Sequence, residues 1–143
     1  IVVAGSGNPK YIQINSPTVQ NNTHFIGVIK NMSKLYPVAD TLIHPTLGDT
    51  YGMVVLEAMS HKLPVIVSSA KYCGFSEHLG ADEAIILDNP KISKEISHGI
   101  KTLYNQADFR KKIAENGFKK AKKINWDTTT NCTLKSYSKI YQN

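Results

Sequence analysis

Residues 44–66, HPTLGDTYGMVVLEAMSHKLPVI, decide the fold of this chain. A Gly/Asp/Thr loop precedes an apolar run with helical character at residues 52–60, and a strand-like run follows at residues 64–67. The loop carries one carboxylate, Asp49, and a second, Glu57, lies about a turn and a half inside the helix. The unpaired N–H groups and positive dipole end of a helix N-terminus suit a phosphate, and two carboxylates beside them can hold polyol hydroxyls. A phosphate together with a polyol indicates a sugar nucleotide.

The remainder of the chain alternates short apolar runs with helical patterns. Strands are predicted at residues 1–4, 24–27, 41–44, 65–68 and 84–87. Helices are predicted within residues 8–23, at 31–38 with a cap near Asn31, at 52–60, over the apolar periodicities of 92–103 and 109–124, and at 126–141 with Asp127 as N-cap. This alternation predicts an α/β fold, a Rossmann-like parallel sheet with helices on both faces, in a single domain of residues 1–143.

The loops that follow the predicted strands are the expected ligand-binding region. Ligands of doubly wound sheets bind outside the carboxyl ends of the strands. The loops that qualify are residues 5–10, 27–32, 45–52 and 68–76. One of them contains Asp49, so the topology and the carboxylate spacing indicate the same site.

The 44–66 stretch resembles the donor-site signature of the retaining GT-B glycosyltransferases of family 4, the glycosyl transferases group 1. Their pattern is Glu, seven residues, Glu, then Ala-Met, then Gly-x-Pro-Val. The matching positions here are Asp49, Glu57, Ala58-Met59 and Leu63-Pro64-Val65. Further pieces resemble the family in order along nearly the whole chain, at residues 1–7, 24–27 and 35–40 and at Trp126-Asp127 with Tyr137. Residues 73–76, Cys-Gly-Phe-Ser, resemble the lipopolysaccharide-core α-glucosyltransferase branch.

This resemblance implies a fragment of the C-terminal, donor-binding domain, one half of a GT-B fold, without the N-terminal acceptor-binding domain. The implied reaction moves a sugar from a UDP- or GDP-linked donor to a hydroxyl of a glycan or lipid-linked acceptor with retention, in surface-polysaccharide or lipopolysaccharide synthesis. Asp49 is implied to contact the sugar and is the catalytic candidate, while Glu57 is implied to bind the ribose hydroxyls. The backbone at the helix entrance is implied to bind the diphosphate, at Thr50, Tyr51, Gly52, Met53 and Val54. The backbone after the second strand is implied to line the base pocket, at Gly27, Val28 and Ile29.

Three departures from the family pattern affect these expectations. Asp49 stands where the family has Glu and is one methylene shorter. Lys62 stands where the family has Gly at a helix end that favours a left-handed residue, which costs Lys roughly 1 kcal/mol, so a differently shaped helix end is expected. The family's phosphate-binding Arg/Lys pair has no counterpart, since neither Lys10 nor Lys30 matches it by position. The chain alone is therefore expected to be inactive.

Each candidate residue also has a purely structural interpretation. Asp49, between Gly48 and Thr50, fits an Asx-turn. Glu57 has apolar sequence neighbours, among which a charge needs a partner, although a helix Glu usually lies on a solvated face. Gly5 and Gly7 resemble a phosphate loop but fit a plain turn equally well.

The histidines and cysteines do not form a metal-binding pattern. His44, His61 and His78 are each seventeen residues apart, a spacing that matches no ligand signature, so no metal or cofactor is expected. His44 is expected at a strand end near the site. Cys73 and Cys132 lack a C-x-x-C spacing and are expected to be reduced thiols.

Charge is distributed unevenly along the chain. Residues 1–90 hold five Lys against seven Asp/Glu, a net of −2, and residues 91–143 hold twelve Lys/Arg against four Asp/Glu, a net of +8. The basic half either attracts anionic lipid or solvates two exposed helices. Its aromatic residues are not interleaved with basic ones, so no nucleic acid is expected. No basic leader and no apolar run near the roughly 18–20 residues of a membrane span is present, so the expected location is the cytoplasm, at the inner face of the membrane.

Three other functions remain open at this point. The same fold could serve as a sugar-nucleotide-binding module without transfer activity, which the change to Asp49 favours. A GT-B sugar-nucleotide epimerase would carry further acid and base residues elsewhere. An unrelated flavodoxin-like domain would bind no sugar nucleotide.

Overall fold

The computed structural model describes residues 1–6 and 17–141, which fall into two compact units, Ile1–Leu35 and Tyr36–Asn143. The first unit contains strand β1 (Val2–Ala4), helix α1 (Pro17–Asn21) and strand β2 (His24–Gly27). The two strands pair in parallel, with Val3 opposite Phe25 and an irregularity before Ala4. The left-handed backbone of Gly27 ends β2, and its carbonyl accepts the Gly5 N–H at 2.9 Å.

The second unit is built on a three-stranded parallel sheet in the order β3 (Leu42–His44), β4 (Val65–Ser68) and β5 (Ile85–Leu87). The central strand β4 is buried along its whole length, as expected for a parallel strand with neighbours on both sides. Ile66 of this strand joins Leu87, Leu103 and Ile113 in the hydrophobic core. The core therefore lies where the sheet meets the C-terminal helices.

Four helices accompany this sheet: α2 (Met53–Ser60), α3 (Ser93–Asn105), α4 (Ala107–Lys123) and α5 (Trp126–Tyr141). Two glycines allow close packing, because a Cβ on Gly99 would lie 3.3 Å from Ile66 Cδ1 and one on Gly117 would lie 3.0 Å from Met59 Cε. Parallel strands flanked by helices confirm the predicted α/β class. No helix in the described ranges is both long enough and apolar enough to cross a membrane.

Most predicted elements are present within a residue or two of their expected bounds, and β4 matches its prediction at both ends. The predicted helix at 31–38 is instead two 3-10 turns, Met32–Lys34 and Tyr36–Val38. Pro37 explains the break, because it has no N–H to continue a helical ladder. The predicted cap at Asn31 is confirmed, since its side chain accepts the Ser33 N–H at 3.1 Å.

The N-cap of α5 was expected at Asp127, and this prediction is wrong. The Oδ1 atom of Asn125 accepts the Thr128 N–H at 2.8 Å and the Thr128 hydroxyl at 3.0 Å. Asn125 therefore caps the helix, and Asp127 is the second residue of the helix. The prediction for residues 8–23 is tested only in part, because residues 7–16 lie outside the described residues.

Candidate functional site

Two loops at the carboxyl end of the three-stranded sheet form the framework of the candidate site. Residues 45–52 follow β3, and residues 69–76, which include the start of a 3-10 helix (Gly74–His78), follow β4. Their main chains are hydrogen-bonded to each other, with Asp49 N–H donating to the Tyr72 carbonyl at 2.8 Å and Phe75 N–H donating to the Tyr51 carbonyl at 2.7 Å. The structure thus brings together two of the loops that topology predicted.

Glycines permit this close approach of the two loops. Gly52 has a left-handed φ of 86°, and a Cβ there would lie 2.5 Å from Cys73 Sγ. A Cβ on Gly74 would collide with the backbone carbonyl of Thr50. The space beside Gly52 that was expected to admit a ligand is therefore occupied, on that side, by the buried thiol of Cys73.

Asp49 connects the end of β3 to the start of α2. Its Oδ1 accepts the N–H groups of Gly52 at 2.8 Å and Tyr51 at 3.2 Å, and its Oδ2 lies 3.0 Å from His44 Nε2. Desolvation favours a higher pKa, but the hydrogen bonds from His44, Gly52 and Tyr51 outweigh it and lower the pKa of the Asp49 carboxyl. The Asx-turn interpretation is confirmed by this geometry, and so is the expected position of His44. Contact between Asp49 and a sugar stays a prediction.

Glu57 lies on the outer side of α2, and the expectation that apolar neighbours surround it is wrong. The helix turns Val55, Ala58 and Met59 into the core, while Glu57 is exposed. The partner that a charge was expected to need is nevertheless present, because the Tyr36 hydroxyl donates to Glu57 Oε2 at 2.8 Å. The ribose role of Glu57 stays a prediction.

Tyr36 is the residue of the candidate site that sequence reasoning missed. Its side chain is only 3% exposed, and burial together with the adjacent Glu57 carboxylate raises the pKa of the phenol well above its ordinary value. It stands 21 residues before Glu57 and outside the signature, so no local spacing indicates the contact.

The N–H groups at the entrance of α2 are not equally available. Those of Tyr51 and Gly52 are already bonded to Asp49. Those of Met53 and Val54 have no hydrogen-bond acceptor within the parts of the chain that the structure describes, because the first bond of the helix runs from Val55 N–H to the Gly52 carbonyl. An anion at this helix end would therefore find two unpaired donors.

The predicted base-pocket residues belong to the first unit. Gly27 ends β2, and Val28 and Ile29 follow it as exposed residues or nearly so. The base-pocket role of these three residues stays a prediction. Gly7 and Lys10 lie outside the described residues.

The end of α2 has the usual left-handed shape, against expectation. Lys62 has a φ of 57°, its N–H donates to the Met59 carbonyl, and Leu63 N–H donates to the Ala58 carbonyl, which together form a Schellman motif. The Lys62 ammonium pairs with Glu115 at 3.0 Å and lies 4.9 Å from the centre of the Phe118 ring. The lysine therefore accepts backbone strain that glycine would avoid.

The histidines have separate structural partners. His61 packs against the Tyr36 ring with a centroid distance of 5.3 Å, and His78 packs against Phe75 at 6.4 Å. Over residues 1–6 and 17–141, no three His, Cys, Asp or Glu side chains are grouped as metal ligands. The expectation that no metal is needed remains untested by this observation.

The fold and the site define a class of protein. It is a parallel α/β domain in which a carboxylate-bearing loop leads into a helix. The chain belongs to the glycosyl transferases group 1, whose family model matches residues 1–106. It is 30% identical over 143 residues to an uncharacterized glycosyltransferase, MJ1607, of Methanocaldococcus jannaschii, covering 96% of this chain and 36% of the relative. It is 26% identical to the lipopolysaccharide glucosyltransferase WaaG of Escherichia coli, covering 81% of this chain and 31% of WaaG. The chain thus spans about a third of the length of these curated relatives.

Solved structures agree with this assignment. The crystal structure of WaaG, a glycosyltransferase involved in lipopolysaccharide biosynthesis, superposes with a TM-score of 0.77 at 25% identity, covering 87% of this chain and 34% of that chain. Anabaena HepE in complex with UDP and glucose gives a TM-score of 0.83 at 21% identity, covering 96% of this chain and 40% of that chain, a likeness that concerns the fold. The family and the GT-B domain fold expected from the sequence are confirmed.

Proposed function

We propose that this chain is the donor-binding part of a glycosyltransferase that moves a sugar from a nucleotide-diphospho-sugar to an acceptor hydroxyl with retention. The observation that carries the proposal is the arrangement around α2, where Asp49 stands at the helix entrance and Glu57 lies on the outer helix face. The N–H groups of Met53 and Val54, between them, have no acceptor among the residues that the structure describes. HepE, which shares the fold, has been crystallised with UDP and with UDP-glucose, which supports a nucleotide-sugar donor, either UDP- or GDP-linked.

The proposed chemistry depends on the charge that develops on the departing diphosphate. The N–H groups of Met53 and Val54 and the dipole of α2 are fixed before the reaction, so they stabilise that charge without reorganisation. Glu57 accepts hydrogen bonds from the ribose hydroxyls, and Asp49 orients the sugar. No metal or other cofactor takes part.

The acceptor is a glycan or a lipid-linked sugar of surface-polysaccharide or lipopolysaccharide synthesis, and it is bound by parts of the enzyme other than this chain. The chain alone binds donor weakly and transfers nothing.

An NMR titration of the 143-residue chain with UDP, GDP and ADP, and then with the corresponding sugar nucleotides, tests this function. The expected result is a set of shifts in residues 49–57 and 27–29 with one base. Glu57→Ala should weaken binding of the bare nucleoside diphosphate, whereas Asp49→Ala should affect only sugar-bearing ligands. Equal loss of bare nucleotide binding in both variants would contradict the assigned roles, and detectable sugar transfer by this chain alone would contradict its proposed inactivity.

We also propose that the chain works at the inner, cytoplasmic face of a membrane and has no nucleic-acid partner. The supporting feature is the lysine face of α4, five exposed side chains within about a third of the helix circumference, at Lys111, Lys112, Lys119, Lys122 and Lys123. Glu115 lies on the same arc but is paired with Lys62. A lysine near an anionic lipid surface contributes about 1 kcal/mol.

Sedimentation with phosphatidylcholine vesicles, with and without phosphatidylglycerol, tests this location. The chain should sediment only with the anionic vesicles, and the triple variant Lys112→Ala/Lys119→Ala/Lys123→Ala should stay in the supernatant. The matched control, Lys71→Ala/Lys91→Ala/Lys94→Ala, removes the same charge from other exposed positions. Equal sedimentation of both triple variants would assign any binding to net charge rather than to this face.

A further inference from the structure

The hydrogen bond between Tyr36 and Glu57 joins a buried side chain to an exposed one. Tyr36 is held in the interior, and its ring packs against the imidazole of His61. Glu57 is exposed, and its side chain has three rotatable bonds, so burial does not fix its direction. The phenol is therefore the group that determines where the carboxylate points.

The contact occupies only one side of the carboxylate. The Tyr36 hydroxyl donates to Oε2, and Oε1 has no hydrogen-bond donor among residues 1–6 and 17–141. An ionised carboxylate has about four acceptor positions, so one donor leaves room for two more. Two adjacent hydroxyls of one ligand fill these positions at a lower conformational cost when the carboxylate plane is already oriented.

We propose that Tyr36 is a positioning residue that orients Glu57 to receive the two vicinal hydroxyls of the nucleotide ribose. This inference rests on the proposed function, because it takes the ribose as the ligand of Glu57. Tyr36 does not touch the nucleotide and acts through the carboxylate, by lowering the conformational cost of ordering it on binding. Because burial and the carboxylate raise the pKa of the phenol, the hydroxyl remains a donor throughout the neutral range.

The direct test removes one oxygen atom. Tyr36→Phe keeps the buried ring and its contact with His61, and it deletes only the donor to Glu57. Dissociation constants of the 143-residue chain are measured by NMR or calorimetry for UDP and for 2′,3′-dideoxy-UDP, or for the GDP pair if the base proves to be guanine. We expect Tyr36→Phe to raise the dissociation constant of the nucleotide with the intact diol about three- to tenfold. The dissociation constant of the dideoxy nucleotide should stay within twofold of its wild-type value.

Two controls make the result specific. Tyr104→Phe changes an exposed tyrosine whose side chain is 80% exposed and should alter neither constant. In the Glu57→Ala background, Tyr36→Phe should have no further effect on diol binding, because the group it positions is absent. This double variant also separates positioning from any general loosening of the fold, which would persist without Glu57.

Each outcome is decisive. A loss shared equally by diol and dideoxy nucleotides, or additive losses in the double variant, would make Tyr36 a merely structural residue and overturn the inference. If Glu57→Ala selectively weakens the diol nucleotide but Tyr36→Phe does not, the proposed function stands and only the positioning role fails. If wild type binds both nucleotides equally or binds neither, the ribose role of Glu57 fails, and the inference fails with it.

Discussion

The Oδ2 atom of Asp49 lies 3.0 Å from Nε2 of His44, the last residue of β3, while the other carboxylate oxygen accepts the Gly52 N–H at the entrance of α2. One carboxylate thus joins the strand, the loop and the helix that make the candidate site. Its side chain is still 31% exposed, so the same group can also meet a ligand. Asp49 is therefore expected to contribute to stability as well as to binding.

Asp49→Ala should lower the free energy of unfolding by about 1–2 kcal/mol at pH 7, because two backbone N–H groups and His44 lose a charged partner. The folded pKa of this carboxyl is lowered, so its contribution is complete above the unfolded pKa of about 3.9 and is lost as pH falls through the folded value. Urea unfolding of both proteins between pH 7 and pH 3 should show a constant difference down to about pH 5 that shrinks below about pH 4. Asp40→Ala is the control, since this exposed aspartate makes no side-chain hydrogen bond with the described residues. A difference that grows at low pH would refute the assigned sign.

Gly74→Ala should destabilise the loop framework by about 1–3 kcal/mol, because the new methyl group meets the Thr50 carbonyl, a backbone group that cannot turn aside. Gly48→Ala is the matched control in the same region, since a Cβ there has nothing within 4 Å and should change stability by less than about 0.5 kcal/mol. Chemical denaturation gives both values. Equal stability of the two variants would show that the loops separate easily and that their contact does not shape the site.

Lys62→Gly should raise the free energy of unfolding by about 0.5–1 kcal/mol. Glycine removes the left-handed strain, and this gain exceeds the small worth of an ion pair whose partners are 54% and 46% exposed. Lys62→Ala is the informative comparison, because it also deletes the ion pair but keeps a Cβ in the strained backbone. Thermal and urea unfolding should rank Gly above Ala by about 1 kcal/mol. Ala above Gly would mean that the left-handed backbone costs a Cβ little, and wild type above both variants would mean that the contacts of Lys62 with Glu115 and Phe118 dominate.

Asn125→Ala should reduce the helicity of α5 and cost about 1 kcal/mol, since it deletes the acceptor of the Thr128 N–H. Asp127→Ala removes only a favourable charge near the helix dipole and should cost less, about 0.3–0.5 kcal/mol. Amide hydrogen exchange along residues 126–140 measures the effect where it occurs. The helix is exposed along this stretch, so little packing compensates for a lost cap. Faster exchange in Asp127→Ala than in Asn125→Ala would return the cap to Asp127.

The strands were predictable because each is short, apolar and ended by polar or glycine residues, and burial on both faces of β4 leaves its pattern unbroken. The two 3-10 turns within residues 31–38 were not predicted, because the sequence pattern there is helical and only Pro37, which has no N–H, interrupts it. The cap of α5 was misplaced by two residues, since Asn125 and Asp127 are both good N-caps and only the hydrogen bond to Thr128 distinguishes them.

Within the candidate site, sequence identified the carboxylates but not their surroundings. Asp49 was recognisable because its turn is local, so residues two and three positions away supply its donors. The environment of Glu57 was misjudged because neighbours in sequence on a helix point in different directions, and Glu57 faces away from Val55 and Met59. Tyr36 could not be found, since its contact with Glu57 spans 21 residues and depends on the tertiary fold.

The contact between the loops after β3 and β4 consists of main-chain hydrogen bonds, from Asp49 N–H to the Tyr72 carbonyl and from Phe75 N–H to the Tyr51 carbonyl. These hydrogen bonds do not use side-chain atoms. Mutational drift at the exposed positions 47, 50 and 71 can therefore change what the loop surface recognises while the backbone path is retained. In protein engineering, residues 45–52 and 69–76 should be treated as one unit. Exchanging both loops together between family members preserves their mutual hydrogen bonds better than exchanging either one alone.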